Sequence, residues 1–256
     1  MTETARTILI TGAGSGLGRG LARCLCAAGH RLILADLNDD GLRETSALMS
    51  VGSRATTHVL DVTSSSQIRA FTQSAAAEHI GVLINNAGLQ HVSPVESFPE
   101  ERWDVLLDVM LKGPFLLSQA LLPRMKANGF GRIVNIGSIH SLIASPYKSA
   151  YTAAKHGLLG LAKTIALECA GADITVNTIC PAYVRTPLVD AQIAAQAQAH
   201  GVSEQEVVDK IMLEPMPKKA FITIDEIAAA VEFLIGHGAR NITGQTLVID
   251  GGWTAR

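Results

Sequence analysis

Residues 7–20 read TILITGAGSGLGRG, a short β-forming run that passes directly into a glycine-rich turn and then into an apolar helix. Gly12, Gly16 and Gly18 make a Gly-x-x-x-Gly-x-Gly spacing, with Ser15 and Leu17 filling the turn. A turn so placed offers backbone N–H groups and a helix N-terminus to a pyrophosphate. Beyond it, Asp36 closes a second apolar run, RLILAD at 31–36. A carboxylate at that point accepts hydrogen bonds from the adenosine ribose hydroxyls and repels a 2′-phosphate. Neither Ala13, Ser15 nor Leu37 carries the positive charge that a 2′-phosphate would demand, so the expected cofactor is NAD rather than NADP.

The same alternation continues outward. Further β-rich runs stand at 55–62, 82–87, 132–138, 174–181 and 245–252, and helical patterns at 16–29, 40–50, 65–79, 99–125, 149–171 and 225–237. Seven runs separated by helices predict an α/β fold: one Rossmann-type domain over 1–256, its doubly wound parallel sheet of about seven strands covered by helices on both faces. Ligands of such sheets bind beyond the carboxyl ends of the strands. Asp61 and Val62 end the third run, where they would cover an adenine, and Asn85, Asn86, Ala87 and Gly88 end the fourth. Between the sixth and seventh runs an insert at about 183–223 holds the helical LVDAQIAAQAQAHG and the mobile-looking MLEPMPKKAF, a candidate lid.

Composition bounds the function. The 256 residues are 48% hydrophobic and 17% charged, enough for one large core. A net charge of -2 gives no electrostatic footprint for nucleic acid or an anionic membrane, so the expected partner is a small molecule. No apolar run is read as approaching a membrane span, and residues 1–7 include Glu3 and Arg6, so a soluble, cytoplasmic protein is expected. Cys24, Cys26, Cys169 and Cys180 show no ligand spacing and read as buried, reduced thiols. The eight histidines include no His-Glu-x-x-His pattern, and no metal is expected.

SPYKSAYTAAKHG at 145–157 carries two tyrosines and two lysines. Residues four apart share a helix face, so Tyr151 and Lys155 form a phenol–ammonium pair, whereas Tyr147 has Tyr151 rather than a cation one turn on.

With TGAGSGLG, Asp61-Val62, NNAG at 85–88, Ser138 and YTAAK at 151–155, the chain resembles the short-chain dehydrogenase/reductase family over essentially its whole length. The resemblance implies that Tyr151 is the general base of alcohol oxidation. Lys155 lowers its pKa and holds the nicotinamide ribose, Ser138 bonds the reacting oxygen, and Pro181 and Val184 flank the nicotinamide. Two positions depart from the family pattern: Met110 stands where many members carry a catalytic Asn, and Ala182 where Gly is commoner. Within the family the chain is most similar to the bacterial D-3-hydroxybutyrate dehydrogenases, on AGLQHVSPVE at 87–96, SIHSLIAS at 138–145, YKSAY at 147–151, TPLVDAQI at 186–193 and DGGW at 250–253. That likeness implies that Gln90, His140, Lys148 and Gln192 hold a substrate carboxylate, with Tyr183 and Trp253 as pocket walls and Tyr147 as its edge. It also implies a homotetramer. The alternatives are a reductase for another hydroxy acid, a polyol or a 3-oxoacyl substrate, and a nucleotide-sensing protein without turnover.

Overall fold

The computed structural model describes residues 5–49 and 54–255. Its strands are β1 (Thr7–Thr11), β2 (Arg31–Asp36), β3 (Ala55–Val59), β4 (Val82–Asn85), β5 (Gly131–Ile136), β6 (Ile174–Pro181) and β7 (Thr246–Ile249). The helices are α1 (Gly16–Ala27), α2 (Asp39–Ala47), α3 (Ser65–Gln73), α4 (Glu100–Leu107), α5 (Gly113–Ala127), α6 (Ser149–Glu168), α7 (Pro187–His200), α8 (Glu204–Val207) and α9 (Ile224–Ile235). All seven strands pair in parallel in the order β3-β2-β1-β4-β5-β6-β7. This is the doubly wound α/β sheet expected from the sequence.

Strand periodicity explains the two layers. Successive side chains point to opposite faces. Accordingly Ile8 and Ile10, Leu32 and Leu34, and Val82 and Ile84 pack into one core with α1 and α9. Leu9, Ile33 and Leu83 face the other core with α3, α5 and α6. Strand order reverses between β1 and β4, and the loops following those strands part there into a crevice.

Local chemistry sets the boundaries. Asn38 caps α2 by accepting the Gly41 N–H at 3.0 Å. Thr223 and Glu226 form a reciprocal capping box at the start of α9. Two strands are shorter than the sequence suggests because an aspartate turns the chain. Asp61 Oδ1 accepts the Thr63 N–H at 2.8 Å, and Asp250 accepts the Gly252 and Thr254 N–H groups at 2.8 and 2.7 Å.

The helix expected at 99–125 is continuous over 100–127 but carries a π-turn at Asp108–Lys112 between α4 and α5. Pro114 has no N–H to return to the Met110 carbonyl, which accounts for the wider turn. Contrary to the expectation from sequence, this helix is long and apolar enough to cross a membrane by those measures alone, with a mean hydropathy of 1.5. Here Leu117, Leu121 and Met125 bury its inner face against the sheet.

The insert is better anchored than its sequence suggests. A parallel bridge between Val184 and Ile222 ties its base. Ile193, Ala197, Val207 and Met212 form a small core of its own, and Leu213 and Met216 enter the main core, Met216 with 0% exposure. MLEPMPKKAF is thus a docked turn that Lys219, at φ 48°, helps to reverse. The cysteines also differ from expectation: all four are free thiols, but only Cys169 and Cys180 are buried, while Cys24 and Cys26 are half-buried.

Candidate active site

A cavity of about 420 Å³ lies over the carboxyl ends of β1, β2, β4, β5 and β6. Its nucleotide end is built by close backbone approach. A side chain on Gly12, which sits at φ +65°, would come within 2.8 Å of the Ala87 Cα. One on Gly18 would lie 2.1 Å from the Gly12 carbonyl oxygen. Only glycines allow the turn to fold so tightly onto the start of α1. Asn86 then holds it by donating from Nδ2 to the carbonyls of Thr11 and Gly12 at 2.9 and 3.2 Å. Asp36 closes this end: Oδ2 accepts the Gly14 N–H at 2.9 Å and Oδ1 the Asn38 N–H at 3.0 Å. Open donors at a helix N-terminus, with a fixed carboxylate beyond them, fit a pyrophosphate and an adenosine ribose.

The central groups come from β5, the turn after it, and α6. Ser138 is buried, and its hydroxyl accepts the His140 N–H at 3.1 Å. Lys155 is 5% exposed, and its Nζ donates to the Ile136 carbonyl at 2.7 Å. That ammonium lies 5.7 Å from the centre of the Tyr151 ring. Burial pulls the Lys155 pKa down to about 8, with the Cys180 thiol opposing it. The Tyr151 phenol is displaced upward, mainly by burial, while its hydrogen bond with Ser138 works the other way. The upward shift is the cost of desolvating the phenolate; the Lys155 ammonium beside the ring keeps its charge while bonded to the carbonyl.

At the far end Gln90, His140, Lys148, Tyr183 and Gln192 line the same cavity. Lys148 reaches it because Tyr147 adopts a left-handed backbone at φ 67°, turning the chain just before α6. Tyr147 itself is 59% exposed and forms no part of the cavity wall. Burial lowers the pKa of Lys148. Gln90 accepts the His91 N–H at its own side-chain oxygen, 3.2 Å away. His140 is buried between two hydroxyls, with Nε2 2.8 Å from Ser145 Oγ and Nδ1 3.4 Å from Ser138 Oγ.

Of the residues singled out in the sequence, Gly12, Ser15, Gly16, Leu17, Gly18, Asp36, Asn86, Gly88, Gln90, Ser138, His140, Lys148, Tyr151, Lys155, Pro181, Tyr183, Val184 and Gln192 share this one cavity. Asp61, Val62, Ala87 and Trp253 are not in its lining. Val62 packs into the core, and Trp253 backs Tyr183 with ring centres 6.0 Å apart. Sequence reasoning missed Leu89, Gly137, Thr186 and Val189. Thr186 had a signal, since Thr-Pro is a helix start, and its side chain indeed caps α7 by accepting the Val189 N–H. Met110, noted as a departure, forms part of the wall with 1% exposure. Among the described residues no cluster of His, Cys, Asp or Glu could hold a metal ion.

A phenol, a hydroxyl and an ammonium beside a dinucleotide cradle suit proton transfer coupled to hydride transfer. Comparisons with known proteins agree. A family model described as Enoyl-(Acyl carrier protein) reductase matches residues 12–254. The chain is 44% identical to the D-beta-hydroxybutyrate dehydrogenase of Rhizobium meliloti (strain 1021), with 100% of both covered. It is 40% identical to the enzyme of that name from Cupriavidus necator, over 98% of each. Among solved structures, levodione reductase superposes with a TM-score of 0.91 at 32% identity, covering 99% of both chains. A putative 2-deoxy-d-gluconate 3-dehydrogenase from Agrobacterium tumefaciens with bound NADP gives 0.87 at 32% identity, covering 100% of this chain and 99% of the other. The protein is therefore an oxidoreductase, and the chain belongs to the short-chain dehydrogenase/reductase family.

Proposed function

We propose that the protein oxidises D-3-hydroxybutyrate reversibly to acetoacetate with NAD. The observation that carries this reading is Lys148, a partly buried ammonium in the same cavity as Ser138, Tyr151 and Lys155. A short hydroxy acid has little apolar surface to bury, so its charge must hold it. Lys148 would take the carboxylate, with the amide N–H groups of Gln90 and Gln192 around it and the neutral His140 ring as part of the wall. The two relatives named D-beta-hydroxybutyrate dehydrogenase support the same substrate. Tyr183, backed by Trp253, would wall the acid's methyl end.

Family members use a nicotinamide cofactor, and Asp36 supports NAD. Its carboxylate is fixed at the end of β2, and the Arg19 guanidinium on α1 is occupied by the Gly14 carbonyl and the Glu44 carboxylate. Gly12, Ser15, Gly16 and Gly18 would hold the pyrophosphate and Lys155 the nicotinamide ribose. When bound, the oxidised nicotinamide supplies the hydride acceptor and a positive charge beside the phenol.

Ser138 would orient the substrate hydroxyl, and Tyr151 would take its proton as hydride leaves C3. Bringing a phenol from a pKa near 10 to near 7 requires about 4 kcal/mol. An ammonium 5.7 Å from the ring centre supplies about 3 kcal/mol to a charge spread over the phenolate at an effective dielectric near 20. Lys155 thus provides most of the depression, but burial opposes it, and a second positive charge is needed. Residues 183–223, tied at the Val184–Ile222 bridge, would close over the acid as a lid.

The free thiols support a cytoplasmic location. An apolar hollow between Leu107, Leu111, Phe115 and Leu161 on α4, α5 and α6 supports burial of that face in a homotetramer. NADH formation, followed by absorbance with a panel of short D- and L-3-hydroxy acids, tests the reading. D-3-hydroxybutyrate should be turned over best, and with NAD. A preference for polyols or 3-oxoacyl substrates with NADPH would replace it.

A further inference from the structure

We infer that His140 is a positioning residue in a proton exit: the proton that Tyr151 takes from the substrate passes through Ser138 and the His140 imidazole to Ser145 and solvent. The inference rests on the proposed oxidation, in which the phenol must be deprotonated again after every turnover.

A proton could leave Tyr151 on either of two sides, and only one of them carries polar side chains in series. Toward Lys155, the ammonium gives one of its three N–H groups to the Ile136 carbonyl, and no second polar side chain among the described residues continues the line. The neighbouring wall is the thioether of Met110, which packs with Ala150 and Ala154 and against Tyr151. A thioether is at most a weak acceptor and donates no proton. On the other side stand three polar side chains in series. The Ser138 hydroxyl bonds the Tyr151 phenol and lies 3.4 Å from His140 Nδ1, and His140 Nε2 lies 2.8 Å from Ser145 Oγ. Ser138 and His140 are buried, whereas Ser145 is half-exposed.

An imidazole suits the middle of such a chain because one nitrogen accepts while the other donates. Burial, aided by the nearby Lys148 and His156, pulls the His140 pKa down to about 4, so the ring is neutral near pH 7. It can therefore exchange protons without storing a charge. The step balances as a chain of hops. The phenol proton moves to Ser138 Oγ as the serine proton moves to Nδ1. The Nε2 proton passes to Ser145 Oγ as that hydroxyl releases its own to water. Tyr151 is left as phenolate, and no bond to carbon changes.

Ser145 gives the cleanest test, since it lies outside the cavity wall. Ser145→Ala should lower kcat by at least about tenfold and enlarge its solvent isotope effect, with the KM of the acid unchanged. Ser145→Thr, which keeps the hydroxyl, should restore both. Independently of any substrate, the ¹⁵N shifts of the His140 ring should report the Nε2–H tautomer. Equal kcat and isotope effect in Ser145→Ala and wild type, failure of Ser145→Thr to restore them, or an Nδ1–H ring would each overturn the relay. If wild type turns over another acid in preference to 3-hydroxybutyrate, the substrate assignment fails. The variant ratios, measured on the acid that is used, still decide the relay.

Discussion

Asp36→Asn changes one oxygen for an amide without altering shape, and its consequences can be worked from the site. The carboxylate holds two backbone N–H groups, of Gly14 and Asn38, at 2.9 and 3.0 Å. An amide has a single acceptor oxygen, so one N–H would face an NH₂ group at a cost of about 1–3 kcal/mol. Part of that cost falls on the glycine turn, because the Asp36 side chain lies 3.0 Å from where a Gly14 Cβ would be. Loss of a charged acceptor for the ribose hydroxyls weakens NAD by a further ~1.5–3 kcal/mol. A 2′-phosphate of charge about −2, some 5 Å from the original carboxylate, would be relieved of about 2 kcal/mol even at a dielectric near 80. Together these lower the preference for NAD over NADP by roughly 10²- to 10³-fold. The assay is kcat/KM for both nucleotides at one saturating hydroxy acid, with circular dichroism to verify the fold. A folded Asp36→Asn enzyme with the wild-type NAD/NADP ratio would refute the reasoning.

Other outcomes follow from the same geometry. Lys148→Met keeps the length of the side chain but removes the charge, and should raise the KM of the hydroxy acid by about 10²-fold while leaving that of NAD nearly constant. Equal KM values would remove Lys148 from the anion site. Because burial holds the Tyr151 phenol above its ordinary pKa, the base form gains as pH rises. The kcat/KM of oxidation should therefore climb from pH 6 and turn over above the Lys155 pKa of about 8, where loss of the ammonium withdraws the charge that favours the phenolate. Reduction of acetoacetate should fall over the same range, and a flat oxidation profile would contradict the assignment. Thr223→Ala breaks the capping box of α9, whose Thr223 N–H and hydroxyl reach Glu226 Oε2 at 2.7 and 2.8 Å. It should cost about 1 kcal/mol, a fall in Tm of about 2–4 °C by calorimetry, with kcat unaffected.

Much of this was legible in the sequence because local rules and tertiary demands coincide. The buried parallel strands appear as short apolar runs such as RLILAD, and the glycine spacing at 12–18 belongs to a turn that no side chain could share. The pairing of Tyr151 with Lys155 follows from helical spacing alone. What stayed hidden depends on contacts far apart in sequence or on backbone states that residue type does not signal. Tyr147 is left-handed although tyrosine has no preference for φ 67°, at a local cost of about 1–2 kcal/mol. MLEPMPKKAF looks like a loose polar loop, yet Leu213 and Met216 anchor it in a core formed by distant strands. The Ile136 carbonyl that takes the Lys155 ammonium could not be inferred from any side chain.

The π-turn at 108–112 joins fold to chemistry. Pro114 widens the helix there, and Met110, in the middle of the turn, becomes a wall of the cavity rather than a polar link to solvent.

The claim on which the account stands is that the Tyr151 hydroxyl is the group that takes the substrate proton. Tyr151→Phe removes that oxygen and little else. Its rate of NADH appearance with saturating D-3-hydroxybutyrate and NAD should fall by about 10²-fold or more while nucleotide affinity is retained. A Tyr151→Phe enzyme that produces NADH at the wild-type rate would contradict it.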